Sequence, residues 1–233
     1  MRTQSAKVRD VLVAGLAFTA GFIDALSLLR FGVFASVMTG NTIILGLGIA
    51  RGEPVSSALR SAIAIGTYMV SVAVGTSIAD STSDRRGRIW PSGATNAFVL
   101  EFLALLALAV GGVFVGSTPS SNLVYVLIAF AAMSMGMQSA GFNALGISGA
   151  STTRITGTYE NFVIDLYRWR RSSSLKTALK KRSDAALQAM VVLVYVLAAI
   201  AGGLAEIYLS LDATLIPVIV LGVTIIVART RTS

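Results

Sequence analysis

Ser36-Val37-Met38-Thr39-Gly40-Asn41-Thr42 is a polar break inside apolar sequence, with Phe31 to Val37 leading into it and Ile43 to Ala50 leaving it. A related break, Thr152-Thr153-Arg154-Ile155-Thr156-Gly157-Thr158, comes about 115 residues later, and both contain Thr-Gly followed by a small polar residue. Polar, glycine-containing backbone at such places reads as a pair of re-entrant elements, because unpaired N–H and C=O groups at membrane depth are tolerated only against protein or a water-filled cavity.

The surroundings are those of a membrane protein. Of the 233 residues, 55% are hydrophobic and only 13% charged, against about a quarter charged in a soluble domain; the mean hydropathy is +0.77. No charged side chain occurs between Glu101 and Arg154, whereas about 20 apolar residues already cross a bilayer. The net charge of +8 sits in short segments flanking apolar runs. That is the positive-inside pattern, and no nucleic-acid-binding motif accompanies it. The chain has no Cys and no His, so thiol chemistry and the usual zinc or haem ligands are excluded, and no metal or other cofactor is expected.

Working outward from the first break, spans are expected at Val11–Leu29, Ser61–Ala79, Asn96–Gly116, Leu123–Leu145, Ala185–Ala205 and Ala213–Ala228. Residues 1–10, with Arg2, Lys7 and Arg9, form a cytoplasmic N-terminus rather than a signal peptide, since the apolar run behind them is too long and further spans follow. Asn41 to Ala50 covers only about 15 Å as a helix, half the hydrocarbon thickness. Tyr159 to Trp169 holds Glu160 and Asp165, each costing roughly 2.5–3.5 kcal/mol at the centre of a lipid-facing span. Both stretches are therefore read as half-helices. With six spans only Arg30, Arg51 and Arg60 of the 19 Lys and Arg lie outside; with eight, Arg30, Arg85, Arg86, Arg88 and Arg154 do. The expected fold is an all-α integral membrane protein of six transmembrane helices plus two re-entrant half-helices.

The order of weak matches points to a duplication. Gly21 and Ala25 align with Gly136 and Ala140, Thr39-Gly40 with Thr156-Gly157, and Tyr68 and Gly75, seven apart, with Tyr195 and Gly202. Residues 11–116 and 123–229 are then two repeats, and three spans in each makes their topologies inverted. Broken helices in inverted repeats are the architecture of many secondary transporters.

The candidate solute-binding residues are Asp24, Thr39, Gly40, Asn41, Gln138, Ser139, Thr156, Gly157 and Thr158. The two Thr-Gly elements are expected to cap the half-helices, leaving free N–H groups at a positive helix end for an anion or a polar solute; ordinary capping without a ligand is the competing reading. Asp24, the charged residue inside the first span, is a candidate proton or cation site, with pairing to Arg30 as the alternative. Asp165 is expected to pair with Arg154 or Arg168, and Glu101 and Glu206 to snorkel from span ends. Gln138, Ser139 and Asn143 form one polar stripe. The basic run Arg168 to Arg182 sets topology and offers a surface for anionic lipid. Every Lys lies in a flanking segment, so no intramembrane Ser–Lys pair is available and no enzyme is expected. Oligomerisation is left open, as is a scaffold whose handle is the basic run.

Gly21-Phe22-Ile23-Asp24-Ala25, Ser36-Val37-Met38-Thr39-Gly40-Asn41-Thr42 and Thr156-Gly157-Thr158 resemble the motifs of the YoaK family, bacterial multi-spanning membrane proteins of unknown function. The resemblance covers nearly the whole chain. It implies a bacterial inner-membrane protein and names no substrate. One departure is Gln138-Ser139-Ala140, where the family pattern has Gln-Asn-Ala, which weakens the case for an essential side chain at 139.

Overall fold

The computed structural model describes residues 4–52, 54–81, 90–113, 121–209 and 213–232, and over them the chain is helical. The expected loop arginines Arg85, Arg86 and Arg88, the turn at 117–120 and the end of the first repeat at 114–116 lie outside the described residues. The helices are α1 (Gln4–Phe31), α2 (Met38–Ala50), α3 (Val55–Asp80), α4 (Ser92–Val113), α5 (Ser121–Ala144), α6 (Ile155–Arg171), α7 (Leu175–Leu209) and α8 (Leu215–Thr232).

Five of them, α1, α3, α4, α5 and α7, are long and apolar enough to cross a membrane, and α2 is a shorter apolar helix. At 28 residues α1 is about 42 Å long; the 13 residues of α2 give about 20 Å. The basic run is not a loop. It occupies the last turn of α6, a three-residue turn, and the opening of α7, which has 35 residues and so reaches about 52 Å.

Helices α1 and α5 form the buried centre, with Leu12, Leu16, Ile23, Leu127, Ile128 and Met135 almost fully enclosed. Helices α3 and α7 lie outside them and turn Met69, Val70, Leu193, Leu197 and Ile200 outward, as lipid-facing helices do. The most extensive packing is α1 on α7 and α3 on α5, followed by α4 on α5, α6 on α7, α2 on α3 and α1 on α8. Exchanging α1–α4 for α5–α8 carries α1·α7 into α5·α3, α4·α5 into α8·α1 and α2·α3 into α6·α7.

Glycines set close approaches of one helix backbone to another, and these too come in pairs. A Cβ on Gly21 of α1 would lie 2.4 Å from the carbonyl oxygen of Tyr195 in α7, and one on Gly136 of α5 would lie 2.8 Å from that of Tyr68 in α3. Gly202 meets the Phe22 backbone in the same way, and Gly75 meets Met137 and Ala140. Bare glycine surface lets helix axes approach, which in lipid substitutes for the hydrophobic drive available in water.

Candidate functional site

Each break is closed by one side chain reaching back seven residues. Asn41, fully buried, accepts from the Phe34 N–H (2.8 Å) and donates through Nδ2 to the Phe34 carbonyl (2.8 Å). In the second break Thr158 Oγ1 accepts from the Ser151 N–H (2.9 Å) and donates to the Ser151 carbonyl (3.0 Å). Both residues directly follow Thr-Gly, and each satisfies both backbone groups of a residue that helix geometry leaves unpaired.

This differs from the expected capping. The N-cap positions are Val37 for α2 and Arg154 for α6, neither with a side-chain capping bond. Thr39-Gly40 and Thr156-Gly157 fall inside the first turn instead. Thr39 and Thr156 are exposed on the outer face, away from the interior. Gly40 is needed because a Cβ there would come within 2.8 Å of the Phe34 ring, whereas Gly157 has open space beside it.

The two breaks meet inside the bundle. Ser36 donates to both oxygens of Asp24, from its N–H to Oδ1 (2.7 Å) and from Oγ to Oδ2 (2.5 Å), and the Tyr195 hydroxyl donates to Oδ2 (2.7 Å). Ser36 Oγ also lies 3.4 Å from the carbonyl oxygen of Thr153 in the second break. One residue earlier, Thr152 Oγ1 accepts from Gln138 Nε2 (2.7 Å), which also donates to the Leu16 carbonyl (2.9 Å). Asp24, Ser36, Gln138, Thr152 and Thr153 are all at most 4% exposed. Asp24 is 15 residues above Arg9 and six below Arg30, so about 22 Å of helix separates it from the first and 9 Å from the second. It therefore lies within the apolar length of α1, nearer the Arg30 end.

Of the expected site residues, Asp24 and Gln138 are at the crossing itself, Asn41 and Thr158 hold the loops that form it, and Ser139 is buried one residue further along α5. Ser36, Thr152, Thr153 and Tyr195 were not among those candidates. The signal for them was present: Ser151-Thr152-Thr153 is a polar triplet between apolar segments, and Tyr195 is the partner of Tyr68 in the repeat.

Several of the charged groups sit differently from expectation. Arg30 pairs with Glu206 of α7 rather than Asp24, because Asp24 is turned inward, two turns away from the end of α1. Asp165 accepts from Lys181 (2.7 Å) and Gln188 (3.2 Å) since α6 lies along α7, while Arg154 donates to Asn143 (2.8 Å). Glu206 is held by Arg30 instead of snorkelling freely. Glu101 does not snorkel at all: it is fully buried near the middle of α4, and neither carboxyl oxygen has a hydrogen-bond partner. A buried polar group without a partner costs about 1–3 kcal/mol. Glu101→Leu is accordingly expected to raise the thermal unfolding midpoint in detergent by a margin equivalent to about 1–3 kcal/mol. A lower midpoint would mean that the carboxyl is held by a partner.

Two polar cavities lie beneath the crossing on the side of Arg9. One of about 260 Å³ is lined by Asn143, Ser151, Arg154, Gly157, Thr158 and Asn161 at the start of α6. The other, about 460 Å³, shares Ile147, Gly149 and Asn161 with it and is edged by Arg9, Arg168, Lys180 and Lys181 together with Asp165 and Asp184. Arg182 stacks over the Trp169 ring at 5.6 Å, tying the opening of α7 to the end of α6.

No solved structure matches the chain. A curated relative, the UPF0700 transmembrane protein YoaK of Bacillus subtilis (strain 168), is 32% identical over 204 residues, which cover 87% of this chain and 86% of that protein. The family model described as "Protein of unknown function (DUF1275)" matches residues 12–227, which include both breaks and the helices around them, and the chain therefore belongs to the DUF1275 family of membrane proteins.

Proposed function

We propose that this protein is a transporter or channel for a small anionic or polar solute in the bacterial inner membrane. Helices α1, α3, α4, α5, α7 and α8 span, α2 and α6 re-enter from opposite faces, and both termini are cytoplasmic. The observation that carries the reading is the contact between the two breaks, Ser36 Oγ to the Thr153 carbonyl, beside Asp24 in the bundle interior. Irregular backbone at membrane depth is tolerated where it is buried in protein or lines a water-filled cavity, and transporters place their sites where two such breaks meet. The duplicated clasps of Asn41 and Thr158, the paired glycine contacts and the exchangeable packing pattern support two inverted repeats, 11–116 and 123–229.

The solute route runs through the cavities beneath the crossing. The start of α6, with its unpaired N–H groups, Arg154 and Asn161, suits an anionic or hydrogen-bond-accepting group. The cations at the wider mouth raise the local concentration of anions. No catalytic step is assigned to any residue.

Labelling at Ser56 and Ser173 tests the architecture, using the absence of native cysteine. Ser56 is exposed just inside α3 and Ser173 exposed in the α6–α7 turn. In intact cells a membrane-impermeant maleimide is expected to label Ser56→Cys, and to reach Ser173→Cys only after permeabilisation. Protection of Ser56→Cys in intact cells would make α2 a spanning helix and remove the opposed half-helices. Proteoliposome swelling in phosphate, carboxylate and polyol solutions then tests flux, with Asp24→Asn as the comparison.

The second reading is a membrane scaffold, favoured by α7 exceeding the roughly 30 Å hydrocarbon core and carrying Lys176, Lys180, Lys181 and Arg182 in its first turns. Those cations, with the exposed Tyr167 and the half-exposed Trp169 of α6, form a surface for anionic lipid or an acidic partner. Loss of a co-purifying partner on neutralising them, with flux unaffected by Asp24→Asn, would favour it.

A further inference from the structure

The crossing of the two breaks contains more acceptors than donors. Gln138 gives both amide hydrogens away, to the Leu16 carbonyl and Thr152 Oγ1. Because the Leu16 carbonyl can only accept, this fixes the amide orientation and leaves Oε1 facing the interior. Gln138 Oε1 is buried without a partner, and so is Thr153 Oγ1. Gln138 holds Thr152, and the next residue, Thr153, meets Asp24 through Ser36, so these oxygens belong to one hydrogen-bonded contact between the two breaks. Buried polar atoms left unsatisfied in this way mark an unoccupied partner, an ordered water or an ion.

The charges around the contact decide which. Arg30, Arg60, Arg154 and Lys181 make their bonds to other groups: Glu206, the Phe31 carbonyl, Asn143 and Asp165 respectively. The donors that hold Asp24 are neutral: Ser36, Tyr195 and the Ala35 N–H. An anion would face acceptors and a carboxyl. All the groups are oxygen, which suits hard cations, and a single carboxyl balances one positive charge where divalent sites collect several.

We propose that Asp24, Gln138 and Thr153 bind a monovalent alkali cation where the two breaks meet. The ion draws the first break, through Asp24 and Ser36, onto the second, through Thr153. It rests on the transport reading only for its purpose, as a coupling ion; the binding itself stands on the oxygen ligands.

The test is thermal unfolding of the purified full chain in detergent, titrated with lithium, sodium, potassium or choline chloride at constant total salt. At least one alkali ion is expected to raise the midpoint saturably above choline, which is too large to enter. Thr153→Val removes a hydroxyl that has no protein partner, so no protein hydrogen bond is lost, and it is expected to move half-saturation up about tenfold. Asp24→Asn should abolish the effect, and Thr156→Val on the exposed face should leave it unchanged. Coincident curves in all four salts would overturn the proposal. So would a Thr153→Val titration superimposed on that of the parent, which would leave ordered water as the occupant. Ion-dependent stabilisation without solute flux would sink the transport reading and keep the ion site; flux with no ion dependence would do the reverse.

Discussion

Asn41→Leu is expected to destabilise the protein by on the order of 4 kcal/mol, although leucine suits membrane helices and has the same branching as asparagine. The Asn41 side chain satisfies the N–H and the C=O of Phe34 at 2.8 Å each, in a position with no solvent exposure. Its loss leaves two buried backbone groups unpaired, each costing about 1–3 kcal/mol. No water replaces them, because leucine fills the space. Thr158→Val is the matching change in the second break, since valine keeps the shape and removes both bonds to Ser151. Equal losses from the two substitutions, read as thermal midpoints in detergent, would establish that the breaks are built alike. A loss below about 1 kcal/mol at Asn41 would show that the Phe34 backbone finds other partners.

Gly21→Val has a comparable effect by a different route. Its Cβ would stand 2.4 Å from the Tyr195 carbonyl oxygen and 3.1 Å from the Tyr195 Cα. Both are helix backbone, so neither can swing aside. Helices α1 and α7, the pair with the most extensive packing, must separate, and the bond from the Tyr195 hydroxyl to Asp24 is broken with them. Overpacking typically costs about 1–3 kcal/mol, and the clash with helix backbone places this substitution at the upper end of that range. Gly66→Val is the control, as nothing lies within 4 Å of a Cβ there. Size-exclusion profiles and thermal midpoints should show a collapsed Gly21→Val protein and a normal Gly66→Val protein. A normal Gly21→Val protein would show that the approach of α1 to α7 is not needed.

The sequence carried much of this arrangement, and its gaps have physical causes. Both breaks were visible because a polar stretch is conspicuous between apolar runs, and Asp24 and Gln138 stood out as costly groups within spans. What side chains do around a break was less legible. Thr39 and Thr156 were the natural capping residues by type, yet the helices begin at Met38 and Ile155. A helix start is set by where the incoming loop can turn, and here that loop is pinned from behind by Asn41 and Thr158. A bond from one side chain to both backbone groups seven residues earlier has no periodic signature. Glu101 misled for another reason: its position in α4 was judged from a span taken to start at Asn96, whereas the helix starts at Ser92, which moves it toward the middle. The long-range partners, Arg30 with Glu206 and Asp24 with Tyr195, depend on α1 packing against α7, which no local pattern specifies.

That last packing has a consequence for how the chain is made. Tyr195 is 171 residues beyond Asp24, and at 5–20 residues per second roughly 10–30 s of translation separate them. Helix α1 thus enters the membrane with its glycine face bare and Asp24 held by Ala35 and Ser36 alone, and the Tyr195 bond forms only once α7 leaves the ribosome. Helix α3 waits a shorter time, since α5 follows it after α4 alone. The α3–α5 pair can therefore dock while synthesis continues, and the α1–α7 pair docks only later, followed by α8 onto α1 and α4. During that interval the insertion machinery, rather than the bilayer, is the natural neighbour of α1.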